Sequence, residues 1–70
     1  MSTTTEYTVS GMTCSHCVHA VTEEVSALAG VTRVTVDLAS GNLTVVSEQD
    51  VPFAEIARAV DEAGYAVAAA

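Results

Sequence analysis

The sequence predicts an α+β domain in which four strands form an antiparallel sheet and two helices cover one of its faces. Three observations support this prediction. Segments whose apolar residues alternate with polar ones are typical of strands, and segments with apolar residues every three or four positions are typical of helices. These segments follow one another in the order βαββαβ. The chain has 70 residues, a length that suits one small domain spanning residues 1–70.

The first strand and the first helix flank a short loop. Residues 4–10 alternate, with their apolar members facing inward, so they are predicted to form a strand. Residues 15–29 have helical spacing, and Gly30 follows them, a residue type that commonly ends helices. Thr13 or Ser15 is expected to cap this helix through a side-chain oxygen.

The middle of the chain is a predicted hairpin. Residues 31–37 and 43–47 form its two strands, and residues 39–42, Ala-Ser-Gly-Asn, have the composition of a turn. Alternate positions along the first of these strands, extended by one residue, are apolar: Val34, Val36 and Leu38.

The chain ends with a second helix and a short strand. Pro52 suits the first turn of a helix, and an apolar helical face follows it, formed by Phe53, Ile56, Ala57, Val60 and Ala63. Arg58 and Glu62 stand four residues apart and are expected to form a weak surface pair. The last strand is predicted over about 65–68, and residues 68–70 are expected to fray.

The charge balance excludes some classes of partner. Nine acidic residues against two basic ones give a formal net charge of −7, which argues against nucleic-acid binding. This charge either keeps the protein soluble or steers it toward a basic partner. The N-terminus has neither a basic region nor an apolar run, and no later stretch is long enough to span a membrane. We therefore expect a cytoplasmic protein that does not insert into membranes and whose thiols stay reduced.

The residues with the most distinctive chemistry lie between the first strand and the first helix. Residues 11–17 read Gly-Met-Thr-Cys-Ser-His-Cys and contain both cysteines, Cys14 and Cys17. A loop that enters a helix presents free N–H groups and the positive end of the helix dipole, and both favour thiolates. Two thiolates suit a soft ion such as Cu(I), whereas structural Zn²⁺ prefers four ligands. The alternatives are a disulfide or an ordinary pair of reduced cysteines.

Two neighbours of the cysteines are candidates for an outer shell around the metal. Met12 carries a soft thioether, but a methionine beside a strand end more often fills a gap in the core. His16 could act as a nearby charge or as a weak third contact. The alternative for His16 is an exposed histidine with no role in binding.

This motif resembles that of the heavy-metal-associated domain family, whose members are small copper chaperones, metal-binding domains of copper-transporting P-type ATPases, and mercury-binding relatives. The resemblance continues through Gly30-Val31, residues 37–41 and residues 61–65, and it covers about 4–67. It implies a ferredoxin-like fold, a Cu(I) site on Cys14 and Cys17, and a copper-transporting P-type ATPase as the partner.

The implied fold also brings Tyr65 to the loop of residues 11–17, which we call the metal loop. In the ferredoxin-like order the fourth strand runs antiparallel beside the first, so its start, at Tyr65, lies next to Gly11. The hydroxyl of Tyr65 could then approach a thiolate, as outer-shell groups do at other metal sites. The alternative is that Tyr65 only packs the end of the second helix against the sheet.

We therefore predict a copper chaperone rather than an enzyme. It would pass Cu(I) from its two thiolates to those of a partner by ligand exchange, and copper could also bridge two copies into a homodimer. The alternatives are an isolated metal-binding domain of a P-type ATPase, a mercury-binding relative, and, with weaker support, a thiol–disulfide oxidoreductase, which also uses two cysteines spaced in this way.

Overall fold

The structure is a computed structural model that describes residues 2–69, and it confirms the predicted order of elements. These elements are β1 (Thr3–Ser10), α1 (Ser15–Ser26), β2 (Val31–Asp37), β3 (Asn42–Ser47), α2 (Phe53–Glu62) and β4 (Ala66–Ala69). The strands form one antiparallel sheet in the order β2-β3-β1-β4, which is the ferredoxin-like order.

The core lies between the helices and one face of the sheet. Both helices contribute fully buried residues at helical spacing, and the central strands contribute residues at every second position. The buried residues of this cluster are Tyr7, Val9, Val21, Val25, Leu43, Val45, Ile56, Ala59 and Val60. β1 is paired on both sides, with β3 and with β4. This pairing holds β1 in place, and the metal loop follows directly after it.

The predicted first helix is three residues too long. α1 ends at Ser26, and the N–H of Leu28 donates to the carbonyl of Val25, three residues earlier, at 3.1 Å. This tightening of the last turn is common at helix ends. Gly30, with φ +87°, then reverses the chain into β2.

Three predicted surface or core assignments in the rest of the chain were wrong. Leu38 was expected to continue the strand alternation of Val34 and Val36, but it lies beyond the end of β2 and is 38 % exposed. Phe53 was placed on the buried face of α2 but is 46 % exposed, because it occupies the first position of the helix. The guanidinium of Arg58 contacts Glu55, at 2.7 Å, and not Glu62.

Residues 68 and 69 belong to the last strand and not to a frayed tail. Ala68 and Ala69 were expected to fray, but they pair with Thr8 and Tyr7 as part of β4. Residue 70, the other member of the predicted tail, lies outside the described residues. None of the helices within residues 2–69 has the length and apolar character that crossing a membrane requires.

Candidate metal centre

The metal loop begins where β1 ends, at Gly11. This residue has φ +93°, a left-handed conformation that residues with a Cβ rarely adopt. A Cβ placed on Gly11 would lie 3.4 Å from Cδ1 of Tyr65, so the tyrosine ring stands directly against the loop. The register of the sheet explains this contact, because Ser10 pairs with Ala66, the residue after Tyr65. The predicted position of Tyr65 is therefore confirmed.

The first turn of α1 begins at Cys14, which is the N-cap residue in an extended conformation, with φ −156° and ψ 174°. Its carbonyl accepts hydrogen bonds from the N–H groups of Cys17, at 3.0 Å, and Val18, at 3.4 Å. No side chain caps the helix, so the predicted cap by Thr13 or Ser15 was wrong. The hydroxyl of Thr13 instead lies 3.9 Å from the sulfur of Cys17.

The two sulfurs are close together but differ in accessibility. Both cysteines are free; Cys14 is exposed, whereas Cys17 is buried and only 8 % exposed. Their Sγ atoms are 3.7 Å apart. Two metal–thiolate bonds of about 2.3 Å span at most ~4.6 Å, so one ion can bind both sulfurs after a shift of less than about 1 Å. Within residues 2–69 no cluster of three or more His, Cys, Asp or Glu side chains could hold a metal.

The thiol of Cys17 is unusually acidic. Its pKa is lowered to about 6, first by a hydrogen bond from the backbone of Thr13, then by the side chain of Tyr65 and the backbone of Cys14, and these interactions outweigh the opposing effect of burial. Each of these groups stabilises negative charge on the sulfur. Cys17 is therefore mostly a thiolate at neutral pH, which confirms for this residue the ionisation that the loop position predicted.

The pKa of Tyr65 is shifted in the opposite direction to that of Cys17. The pKa of its hydroxyl is raised, chiefly by the hydrogen bond with Cys17 and also by burial and by the negative charges of Cys17 and Cys14. The hydroxyl thus keeps its proton and remains a hydrogen-bond donor. Tyr65 also packs against the hydrophobic core, so it contacts both the core and the metal loop.

The other candidates of the motif occupy different positions. Met12 is half-buried and packs against the core, as expected for a residue that fills a gap. His16 and His19 are exposed on α1. A role for His16 near the metal stays a prediction. Sequence reasoning missed the contact between Thr13 and Cys17, although the spacing of four residues at a helix start was a signal for it.

The acidity of Cys17 gives a testable pH profile. We expect the Cβ chemical shift of Cys17 in the reduced, metal-free protein to titrate with a midpoint near pH 6. The thiol would be protonated below this pH and ionised above it, so proton competition for copper should grow as the pH falls through 6. The same titration in Cys14→Ser tests whether Cys14 contributes. A Cys17 midpoint near the ordinary value of about 8.5 would contradict the geometry.

Comparison with known proteins agrees with the fold. The sequence profile described as the heavy-metal-associated domain matches residues 6–66. A protein of Bacillus subtilis named copper chaperone CopZ is 44 % identical over 61 residues, which cover 86 % of this chain and 88 % of that protein. Human copper-transporting ATPase 2 is 41 % identical over 59 residues, but these cover 84 % of this chain and only 4 % of the ATPase.

A solved structure shows the same architecture. The crystal structure of oxidized MerP from Ralstonia metallidurans CH34 superimposes with a TM-score of 0.87 at 27 % sequence identity, and the match covers 99 % of this chain and 97 % of that one. The similarity therefore extends over nearly the whole molecule and includes the metal loop.

Proposed function

The chain is a member of the heavy-metal-associated domain family, and on this premise we propose that it is a copper chaperone that carries Cu(I) on Cys14 and Cys17. The observation that carries the proposal is the pair of free sulfurs 3.7 Å apart on an exposed loop. The name of the Bacillus subtilis relative, a copper chaperone that is 44 % identical, supports copper as the cargo. The proposed activity is binding and transfer, without enzymatic turnover.

The chemistry of the sulfurs supports Cu(I). This ion is soft and favours thiolates, and it needs no more than the two that the loop supplies. Because Cys17 is mostly ionised at neutral pH, copper does not have to displace a proton from it. A structural zinc site, in contrast, would need two further ligands.

A site that passes copper to a partner must be accessible to a thiolate of that partner. Cys14 is exposed to solvent, although Cys17 is buried. An incoming thiolate can therefore approach copper beside the exposed Cys14. It would form a three-coordinate intermediate, after which one of the original sulfurs leaves and the ion is never free in solution.

We propose a copper-transporting P-type ATPase as the recipient and the cytoplasm as the compartment. The likeness of this chain to a short part of a copper-transporting ATPase supports the partner, because two similar metal loops can exchange one ion symmetrically. The formal charge of −7 would favour a recipient with a basic docking face.

The proposal is tested by anaerobic titration of the reduced protein with Cu(I), with masses measured under native conditions. We expect one Cu(I) per chain, or one Cu(I) shared by two chains, and a higher affinity than for Zn²⁺. The copper-loaded protein is then mixed with the metal-binding domain of a copper-transporting ATPase, and transfer is followed by NMR. No binding of Cu(I) beyond that of a variant without cysteines would contradict the proposal.

Tyr65→Phe separates the hydroxyl of this residue from its ring. Loss of the hydroxyl removes one of the interactions that stabilise the Cys17 thiolate, so the pKa of Cys17 should rise. Cu(I) retention against a competing chelator should fall by up to about 10-fold, with little change in melting temperature. Tyr65→Ala is the comparison, because it also removes the ring from the core. Unchanged affinity and transfer rate in Tyr65→Phe would show that the tyrosine is only structural.

A further inference from the structure

The two histidines of the chain are neighbours on the exposed surface of α1. His16 and His19 are the only imidazoles in the sequence, and they occupy the first and second turns of this helix. Residues three apart on a helix have Cβ atoms about 5–6 Å from each other. Both side chains are exposed, and no hydrogen bond or ion pair within residues 2–69 engages either imidazole. Their ring nitrogens are therefore available to a ligand.

This pair of imidazoles is separate from the pair of thiolates. Cys17 lies on the buried side of α1, together with Val21 and Val25, whereas both histidines are exposed. The two kinds of donor also prefer different ions. Thiolates select soft ions such as Cu(I), and imidazole suits the borderline ions Zn²⁺, Ni²⁺ and Cu²⁺. The exposed side of α1 thus offers a donor set that a Cu(I) ion on the metal loop does not need.

We propose that His16 and His19 form a second metal site, which binds one divalent ion of the Zn²⁺ type through one ring nitrogen of each imidazole. Ligands three residues apart on one helix occur in the Glu-x-x-His pairs of di-iron helical bundles. No third His, Cys, Asp or Glu side chain of residues 2–69 completes a cluster, so water fills the remaining positions around the ion. A site with two protein ligands is open and binds more weakly than a four-ligand structural site.

The charges around the two histidines favour a cation. α1 contains neither lysine nor arginine, and the exposed carboxylate of Glu23 stands four residues after His19, on the same side of the helix. The formal net charge of −7 adds a long-range attraction. The positive end of the helix dipole opposes a cation at the first turn, but this effect falls off within that turn, and His19 holds the ion toward the second.

A bound ion would stabilise the start of α1. No side chain caps this helix, and its first turn contains no acidic residue, so the usual stabilising groups of a helix N-terminus are missing. An ion held by both His16 and His19 links the first turn to the second, and it binds both imidazoles only while this part of the chain is helical. Since a ligand of the folded state raises stability, the melting temperature should increase with Zn²⁺ concentration.

The test is a Zn²⁺ titration of the double variant Cys14→Ser/Cys17→Ser, in which no thiol competes for the ion, from about 1 µM to about 1 mM. Calorimetry gives the stoichiometry, and ¹H–¹⁵N spectra of the imidazoles identify the nitrogens that bind. We expect one Zn²⁺ per chain and shifts of both rings. His16→Gln and His19→Gln, each added to this background, should weaken binding by at least about 10-fold, since even outer-shell partners of a metal contribute about 10–100-fold.

The helical spacing supplies a matched control. When Glu23→His is added to the variant that carries His16→Gln, it places an imidazole four residues after His19, and Zn²⁺ binding should return. Glu24→His adds the same group and removes the same charge, but it stands five residues after His19. Because residues five apart are not neighbours on a helix surface, Glu24→His should not restore binding.

Three results would overturn the proposal. The first is the absence of Zn²⁺ binding up to about 1 mM, and the second is an affinity that either His16→Gln or His19→Gln leaves unchanged. The third is equal rescue by Glu23→His and Glu24→His, which would mean that the number of histidines matters and their spacing does not. If the double cysteine variant lacks the native NMR spectrum, the same titration of the Cu(I)-loaded wild-type protein decides, because its thiolates are then occupied.

Discussion

Cys14→Ser and Cys17→Ser are each expected to lose tight Cu(I) binding, because a single sulfur cannot complete even two-coordination of the ion. Changes to outer-shell groups at metal sites cost about 10–100-fold in affinity, so loss of a ligand should cost more than about 100-fold. The measurement is competition for Cu(I) with a chelator under anaerobic, reducing conditions. Ser15→Ala is the control, since it changes an exposed position between the cysteines without touching a sulfur.

The fold should survive both cysteine substitutions. Cys14 is exposed, and exposed substitutions usually change stability by less than about 0.5 kcal/mol. Cys17 is buried, so its replacement by serine should cost about 1 kcal/mol without unfolding the domain. Wild-type copper affinity in either variant would refute the two-thiolate site. Loss of the native NMR spectrum in Cys14→Ser would instead mean that the loop contributes to the fold more than its exposure indicates.

The sequence was sufficient to predict the architecture because the decisive signals are local. The alternation in β1 and β3 and the helical spacing around Val21 and Ile56 each depend on a few neighbouring residues, and the structure buries both of these helix residues completely. The position of Tyr65 beside Gly11 required a further step, namely the strand order of the fold. Once β4 is placed next to β1, the contact follows from the register of the sheet.

Features that depend on side-chain rotamers or on exact element ends could not be predicted in this way. Arg58 has acidic residues three positions before it and four after it, and both spacings allow an ion pair; the structure selects Glu55. Thr13 could cap α1 or approach Cys17, and only the conformation of the loop distinguishes these options. The acidity of Cys17 was expected from its position near a helix start, but its largest cause, a hydrogen bond from the backbone of Thr13, is not visible in the sequence.

The turn between β2 and β3 illustrates the same limit and gives the second large expected effect. Residues 39–42 were predicted to turn from their composition, but the sequence does not show that this turn contacts β1. Gly41 has φ +76°, and a Cβ on it would lie 2.7 Å from the carbonyl oxygen of Val9. The N–H of Val9 also donates to the carbonyl of Gly41, at 2.7 Å. The contacts between Gly41 and Val9 therefore hold the turn of the hairpin against β1, the strand that leads into the metal loop.

Gly41→Ala should consequently be strongly destabilising, by roughly 2–4 kcal/mol, because it combines left-handed strain with displacement of the Val9 carbonyl and loss of a hydrogen bond. Urea denaturation of the metal-free protein measures the effect. Gly64→Ala is the matched control, since Gly64 has φ +95° and nothing within 4 Å of an added Cβ; it should lose only about 1–2 kcal/mol, from backbone strain alone. Equal losses in the two variants would show that the contact between Gly41 and Val9 contributes nothing. A larger loss in Gly41→Ala would show that this contact, and not only backbone strain, fixes the end of β1 that carries the metal loop.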